Sequence, residues 1–151
     1  YLLGELLLDV ENCFQDRVAR HATLKDRVCR ARQYLVARAA TEDQRKRIRG
    51  AAEREFRILD GLDHPNVLRV LDFKDHGFGP VLTFQHHPGA VRLDHFLRDR
   101  GPKLTAAQRL GLLRQLADGV RYAQARRVIH RALAPQSVLV VHPDADAPVP
   151  K

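Results

Sequence analysis

Residues 130–137 bring an imidazole (His130), a guanidinium (Arg131) and a hydroxyl (Ser137) into one short stretch, separated by Ala132, Leu133, Ala134, Pro135 and Gln136. An imidazole titrating near neutrality can move protons. A guanidinium fork grips phosphate or carboxylate, and a hydroxyl oxygen can ligate a hard cation. Each also has a plainer reading: His130 as a buried structural histidine, Arg131 as half of a surface ion pair. A second pairing rests on charge. Glu55 lies nine positions ahead of His64 and can pair with Arg32 or Arg38, or stand solvated on a helix. His86 and His87, with His95 nearby, offer metal-ligand chemistry. Neighbouring side chains of an extended segment point to opposite sides, which argues against a metal site there. Cys13 and Cys29 have no CxxC spacing. They read as free thiols of a reducing cytoplasm and not as a disulfide framework or zinc site.

The elements that must position these groups follow from hydrophobic periodicity. Tyr1–Leu8 is an apolar run ending at the polar turn Asp9-Val10-Glu11-Asn12, Phe14–His21 alternates, and Val28–Ala37 ends in Tyr34-Leu35-Val36-Ala37. These suit an antiparallel sheet. Thr41 predicts a helix N-cap, with Glu42 and Asp43 in the first turn, where the helix dipole favours negative charge. Ile48, Ala52, Phe56 and Leu59 form an apolar stripe, and Gly61 ends the helix. Strands are expected over Val67–Phe73 and Val81–Phe84, joined by the turn Gly77-Phe78-Gly79-Pro80. An irregular linker, 85–89, leads to the short helix Leu93–Arg100, stopped by Gly101-Pro102. Thr105 with Gln108 makes a capping box for a longer helix, lined by Leu110, Leu113, Ala117 and Val120 and supported by Leu112 and Leu116. The loop after Val128-Ile129-His130 ends in a strand, Val138–Val141.

Composition sets limits. The 151 residues, 44% of them hydrophobic, suffice for one domain with a real core. No apolar run is long enough to span a membrane, and Tyr1–Glu5 lacks the basic start of a signal peptide. The chain holds no Met and ends in the loop-like His142–Lys151, so it reads as a piece of a larger protein. The net charge of +8 makes nucleic acid a conceivable partner. Arg45, Lys46, Arg47 and Arg49 open one helix, and Arg121, Arg126 and Arg127 close another. Interleaved acids such as Glu42, Asp43, Glu53 and Glu55 favour a solvated mixed-charge surface instead.

The element order and three motifs resemble the eukaryotic-type protein kinase family over essentially the whole chain. Leu62-Asp63-His64-Pro65-Asn66-Val67 looks like the HPN connection that follows the helix called αC. Glu55 stands where the family glutamate pairs with a strand lysine that holds the ATP phosphates. His130–Leu139 matches H-R-D-L-x-P-x-N-x-L at His130, Arg131, Leu133, Pro135 and Leu139. The resemblance implies an α+β kinase fold: a five-stranded antiparallel N-lobe with one αC helix over 1–84, a hinge at 85–89, and the first part of a mainly helical C-lobe over 90–151. It implies ATP and magnesium as cofactors, with Arg32, Glu55, Phe84, Gln85 and His86 on the nucleotide side, Phe84 as gatekeeper and Ser137 as a metal ligand. It implies the remaining C-lobe, further domains and a protein substrate as partners. The 130–140 segment is also similar to large bacterial multidomain kinase-like proteins, including those of phage-resistance systems.

The departures fall on the chemistry. Ala132 stands where the family aspartate accepts the substrate hydroxyl proton and orients the nucleophile. Ala134 stands where many members carry a lysine, and Ser137 replaces the asparagine that holds magnesium. Asp9-Val10-Glu11-Asn12-Cys13-Phe14 lacks the glycines of the phosphate loop and adds negative charge. Ala31-Arg32-Gln33-Tyr34 lacks the strand lysine; an arginine fork does not freely replace a lysine point charge. The expectation is a catalytically impaired, pseudokinase-like domain with a regulatory or nucleotide-binding role. The alternatives are an active, non-standard ATP-dependent Ser/Thr kinase and a basic nucleic-acid-binding or scaffold module.

Overall fold

A computed structural model describes residues 1–23, 26–145 and 147–151. The chain divides into two compact units, Tyr1–Leu62 with Arg69–His86, and Asp63–Leu68 with His87–Lys151.

The first unit is a five-stranded antiparallel sheet with one helix. Its strands are β1 (Leu2–Val10), β2 (Phe14–Arg20), β3 (Val28–Tyr34), β4 (Val70–Lys74) and β5 (Val81–Gln85), in the order β1-β2-β3-β5-β4. The register alternates two faces. Ala19, Cys29 and Ala31 are buried on one face with Val81 packed against them. The pairs Phe14–Tyr34, Asp16–Arg32, Val18–Arg30 and Arg30–Phe84 put larger side chains on the other. Helix α1 (Glu42–Leu59) starts at the Thr41–Gln44 capping box and buries Ala52. Phe56 meets Phe73 of β4 at 6.1 Å between ring centroids. Gly79 is required between β4 and β5: its φ is +121°, and a Cβ there would lie 2.1 Å from the Tyr34 carbonyl oxygen.

β1 is an outer strand. Its Leu2, Leu3, Leu6 and Leu7 are all exposed, and its register against β2 shifts twice.

The second unit packs α2 (Leu93–Arg100) and α3 (Ala106–Ala125) with a small antiparallel sheet of β6 (Val91–Arg92), β7 (Leu139–Val141) and β8 (Val149–Pro150). Leu93, Phe96, Leu112, Val138 and Val140 form its core. β6 and β8, two residues each, were not expected. Strands so short carry too little periodicity to read from sequence.

Two strands run further than expected: β1 continues to Val10, through the start of the expected turn, and β5 takes in Gln85 from the expected linker, because Asp9, Val10 and Gln85 pair with their neighbouring strands. Three further expectations change. The strand expected from Val67 begins at Val70. Asn66 explains this: its side-chain amide donates to Gln115 and to the Pro150 carbonyl, and its backbone N–H donates to His64. Those bonds commit 63–68 to the second unit. The buried stripe of α3 is rotated from the one expected. Leu112 and Gly119 face the core with Leu116 packed against it, whereas Leu110, Leu113 and Ala117 are exposed. Gly119 fixes that face, since a Cβ would come within 2.9 Å of the Asn66 carbonyl oxygen. The strand expected over Val28–Ala37 ends at Tyr34, although the Leu35 N–H still donates to Cys13.

Candidate functional site

The residues with chemistry form two separate constellations, one in each unit. In the first unit, Asp16 is fully buried on the α1-facing side of the sheet. Its carboxylate accepts from Arg30 Nε and Nη2 at 2.9 and 2.6 Å, and from Arg32 Nε and Nη2 at 2.9 and 3.2 Å. Arg32 Nη1 donates to Glu55 of α1 at 3.0 Å. The Tyr34 hydroxyl donates to the other Glu55 oxygen. One buried carboxylate thus holds two guanidiniums of β3, and one of those continues to the helix. Of the two partners left open for Glu55, it is Arg32 and not Arg38 that pairs with it.

Aromatic rings close over the cluster. The Arg32 guanidinium lies 4.1 Å from the Phe14 ring centroid and 5.5 Å from that of Phe84, within the range of cation–π attraction. Burial alone disfavours the Arg32 cation. The hydrogen bond to Asp16 and the charges of Asp16 and Glu55 more than offset it, so its pKa moves up. The Tyr34 hydroxyl is also pushed up, by burial first and then by its bond to Glu55. Cys29 is buried and its thiol is raised by that burial; Cys13 is exposed, and both are free.

Phe84 is buried at the end of β5, Gln85 is exposed, and His86 is half-buried. The His86 imidazole is held below its ordinary pKa by burial and by the Arg30 charge. Asp16, Arg30 and Tyr34 were missed as site residues. The available signal was period-2: Arg30, Arg32 and Tyr34 share one strand face, and a lone acid sits in the same-face run of the neighbouring strand.

The second constellation is the loop after α3. The helix ends with Arg126 as cap, Arg127 at φ 61°, and N–H bonds from Arg127 to Gln124 and from Val128 to Ala123. This is the two-bond Schellman closure, with arginine where glycine is usual. His130 and Arg131 are exposed. The Ala132 N–H donates to the His130 carbonyl at 2.8 Å around Arg131 at φ 62°, a tight γ-turn in a sparsely populated conformation.

The expectation of a buried His130 is therefore corrected. The turn projects the segment outward, and nothing among the described residues packs over it. Ile129 and Leu133 are likewise exposed, at 66% and 51%. Arg131 has no ion pair among the described residues. Pro135–Ser137 forms a 3-10 turn. Ser137 Oγ accepts the Ala134 N–H at 3.0 Å and donates to the Ala134 carbonyl at 2.8 Å. Beyond it, buried Val138 accepts from the Leu93 N–H and ties the loop to the core.

These residues do not fit a magnesium ion. No aspartate or glutamate occurs between Asp118 and Asp144, and the Ser137 hydroxyl is already bonded within its own turn. Hard divalent cations need oxygen donors, carboxylates above all. Elsewhere the basic clusters are partly spent. Arg49 pairs with Glu53 and Asp75, Arg57 with Glu53 and Arg121 with Asp118, while Arg126 stacks 3.7 Å over Tyr122.

Comparison with known proteins agrees with this layout. The profile of the family described as protein tyrosine and serine/threonine kinase matches residues 18–146. The chain is 38% identical over 143 residues to the probable kinase PglW of Streptomyces coelicolor, covering 93% of this chain and 9% of that protein. It is 33% identical over 100 residues to ephrin type-B receptor 3 of Xenopus laevis, covering 66% and 10%. It is also 33% identical over 88 residues to serine/threonine-protein kinase pkn2 of Myxococcus xanthus, covering 58% and 10%. The chain spans about a tenth of the length of these relatives. Among the described residues, no helix is long and apolar enough to cross a membrane. With its five-stranded antiparallel sheet, its single sheet-packed helix and its His130–Leu139 loop, the chain belongs to the protein tyrosine and serine/threonine kinase family.

Proposed function

We propose that this kinase-family domain is catalytically impaired and acts by binding and regulation within a larger protein. One observation carries the reading: the loop that should supply a general base and a metal ligand contains no carboxylate from Gly119 to Pro143. General acid–base catalysis typically contributes about 10²- to 10⁴-fold. Positioning and electrostatics carry much of phosphoryl transfer, but they are altered as well. Arg32 replaces the strand lysine and its donors go to Asp16 and Glu55. Asp9 and Glu11 add negative charge at the β1–β2 turn, where phosphate-cradling glycines belong. The loop keeps its framework residues His130, Arg131, Leu133 and Pro135, which supports loss of chemistry on a retained fold.

Relatives about six to ten times longer than this chain make other domains of the same protein the natural partners. The test uses the intact protein. Magnesium-ATP binding is measured by calorimetry and phosphoryl transfer with labelled ATP. The expected result is no transfer above background. Robust transfer that survives Ser137→Ala and is lost on replacing a carboxylate elsewhere would overturn the reading.

A further inference from the structure

Kinase-family chemistry puts a cation on the third strand so that it can meet an anionic ligand. In this chain that cation is already met. Arg32 gives Nε and Nη2 to Asp16 and Nη1 to Glu55, so each of its guanidinium nitrogens has a partner inside the unit. Arg30, two residues earlier on the same face, gives Nε and Nη2 to the same carboxylate. Asp16 lies directly across the β2–β3 ladder from Arg32, with no solvent exposure. The Arg32 and Arg30 side chains retain only 24% and 14%. The chain of contacts continues through Glu55, which the Tyr34 hydroxyl also holds, onto α1. Phe14 covers the Arg32 fork.

We infer that Asp16 is a built-in anion that keeps α1 fastened to the sheet without a nucleotide, so that the position of this helix is set by the fold and not by ligand. The inference rests on the reading that this domain has given up phosphoryl transfer, and it specifies the regulation of the same site. A buried carboxylate facing two half-buried guanidiniums must be matched, because an unpaired charge in that place is costly. Removing Asp16 leaves two cations with an anion-sized space between them. A small carboxylate added from solution should fill it.

Hydrogen–deuterium exchange over residues 42–59, in the intact protein, tests this. In the unaltered protein, exchange of α1 should be the same with and without saturating magnesium-ATP, and indifferent to formate. In Asp16→Ala it should be at least several-fold faster, and formate should slow it again. Several-fold slowing by magnesium-ATP in the unaltered protein would overturn the inference. So would unchanged rates in a folded Asp16→Ala, or the failure of formate to rescue it. If Asp16→Ala does not fold, Tyr34→Phe decides, since it removes only the hydroxyl arm to Glu55. Faster α1 exchange supports the clamp, and unchanged exchange overturns it. Phosphoryl transfer is read in the same samples. Transfer by the unaltered protein would sink the impaired-kinase reading while leaving the exchange data to judge the clamp separately.

Discussion

The α1-facing side of the first unit's sheet and the 129–137 loop of the second unit both carry arginines beside an acceptor, yet they are stabilised in different ways. On the sheet, Arg30 and Arg32 converge on a buried carboxylate, and Arg32 also reaches Glu55 of α1, 23 residues further along the chain. In the loop, the bonds of the Ala132 and Ala134 N–H groups and of Ser137 close within three residues, and Arg131 extends without an ion-pair partner among the described residues. Changing the sheet cluster disturbs several elements at once, because its charges are buried and shared. Changing the loop disturbs one turn. Ala132, Ala134 and Ser137 are exposed, so substitution there should disturb little of the fold.

The contrast is sharpest in Asp16→Ala. Stranding two half-buried guanidiniums should cost about 3 kcal/mol, the low end for a broken buried pair because both arginines keep some solvent, measured as lost native-state exchange protection of β2 and β3 in the intact protein. A loss under 1 kcal/mol would erase the difference between the regions. Tyr34→Phe should cost about 1 kcal/mol, the net worth of one hydrogen bond, and it carries a pH signature. The Tyr34 pKa is higher in the fold than in the open chain. Its contribution is therefore complete below about pH 10, the ordinary tyrosine value, and is lost as pH rises through the folded value. Protection of α1 should fall above about pH 10 in the unaltered protein, and that alkaline fall should be smaller in Tyr34→Phe. In the loop region, Arg127→Gly should stabilise the end of α3 by about 0.5 kcal/mol, because glycine adopts positive φ without penalty; slower exchange of the last turn would show it. Ala132→Asp, at an exposed position, should move stability by less than about 0.5 kcal/mol in either direction.

Much of the fold was legible because it rests on local signals. The Thr41 N-cap and the Thr105–Gln108 capping box form as the residues indicate, with Gln44 completing a second box at Thr41, and Leu93–Arg100 has the bounds its punctuation sets. Where long-range contacts decide, the sequence was silent. Nothing local says that Asn66 will bond Gln115 and Pro150 and delay the next strand. Helix α3 carries two apolar stripes, and only the close approach of Gly119 to Asn66 selects the buried one. The site was half legible. The loop motif reads directly, and Glu55 found its arginine. Asp16 was not singled out, because burial of a carboxylate depends on cations that only the β2–β3 register brings beside it.

The outer position of β1 has a consequence for handling the protein. Nine residues without proline, with Glu5 and Asp9 as their only charges and four leucines exposed, leave a free row of backbone donors and acceptors. Such an edge is a template for pairing with another chain. The net charge of +8 keeps copies apart at low salt, and added salt weakens that repulsion. Preparations of this segment by itself should turn turbid as ionic strength rises, and a single lysine in place of Leu3 or Leu7 should delay it.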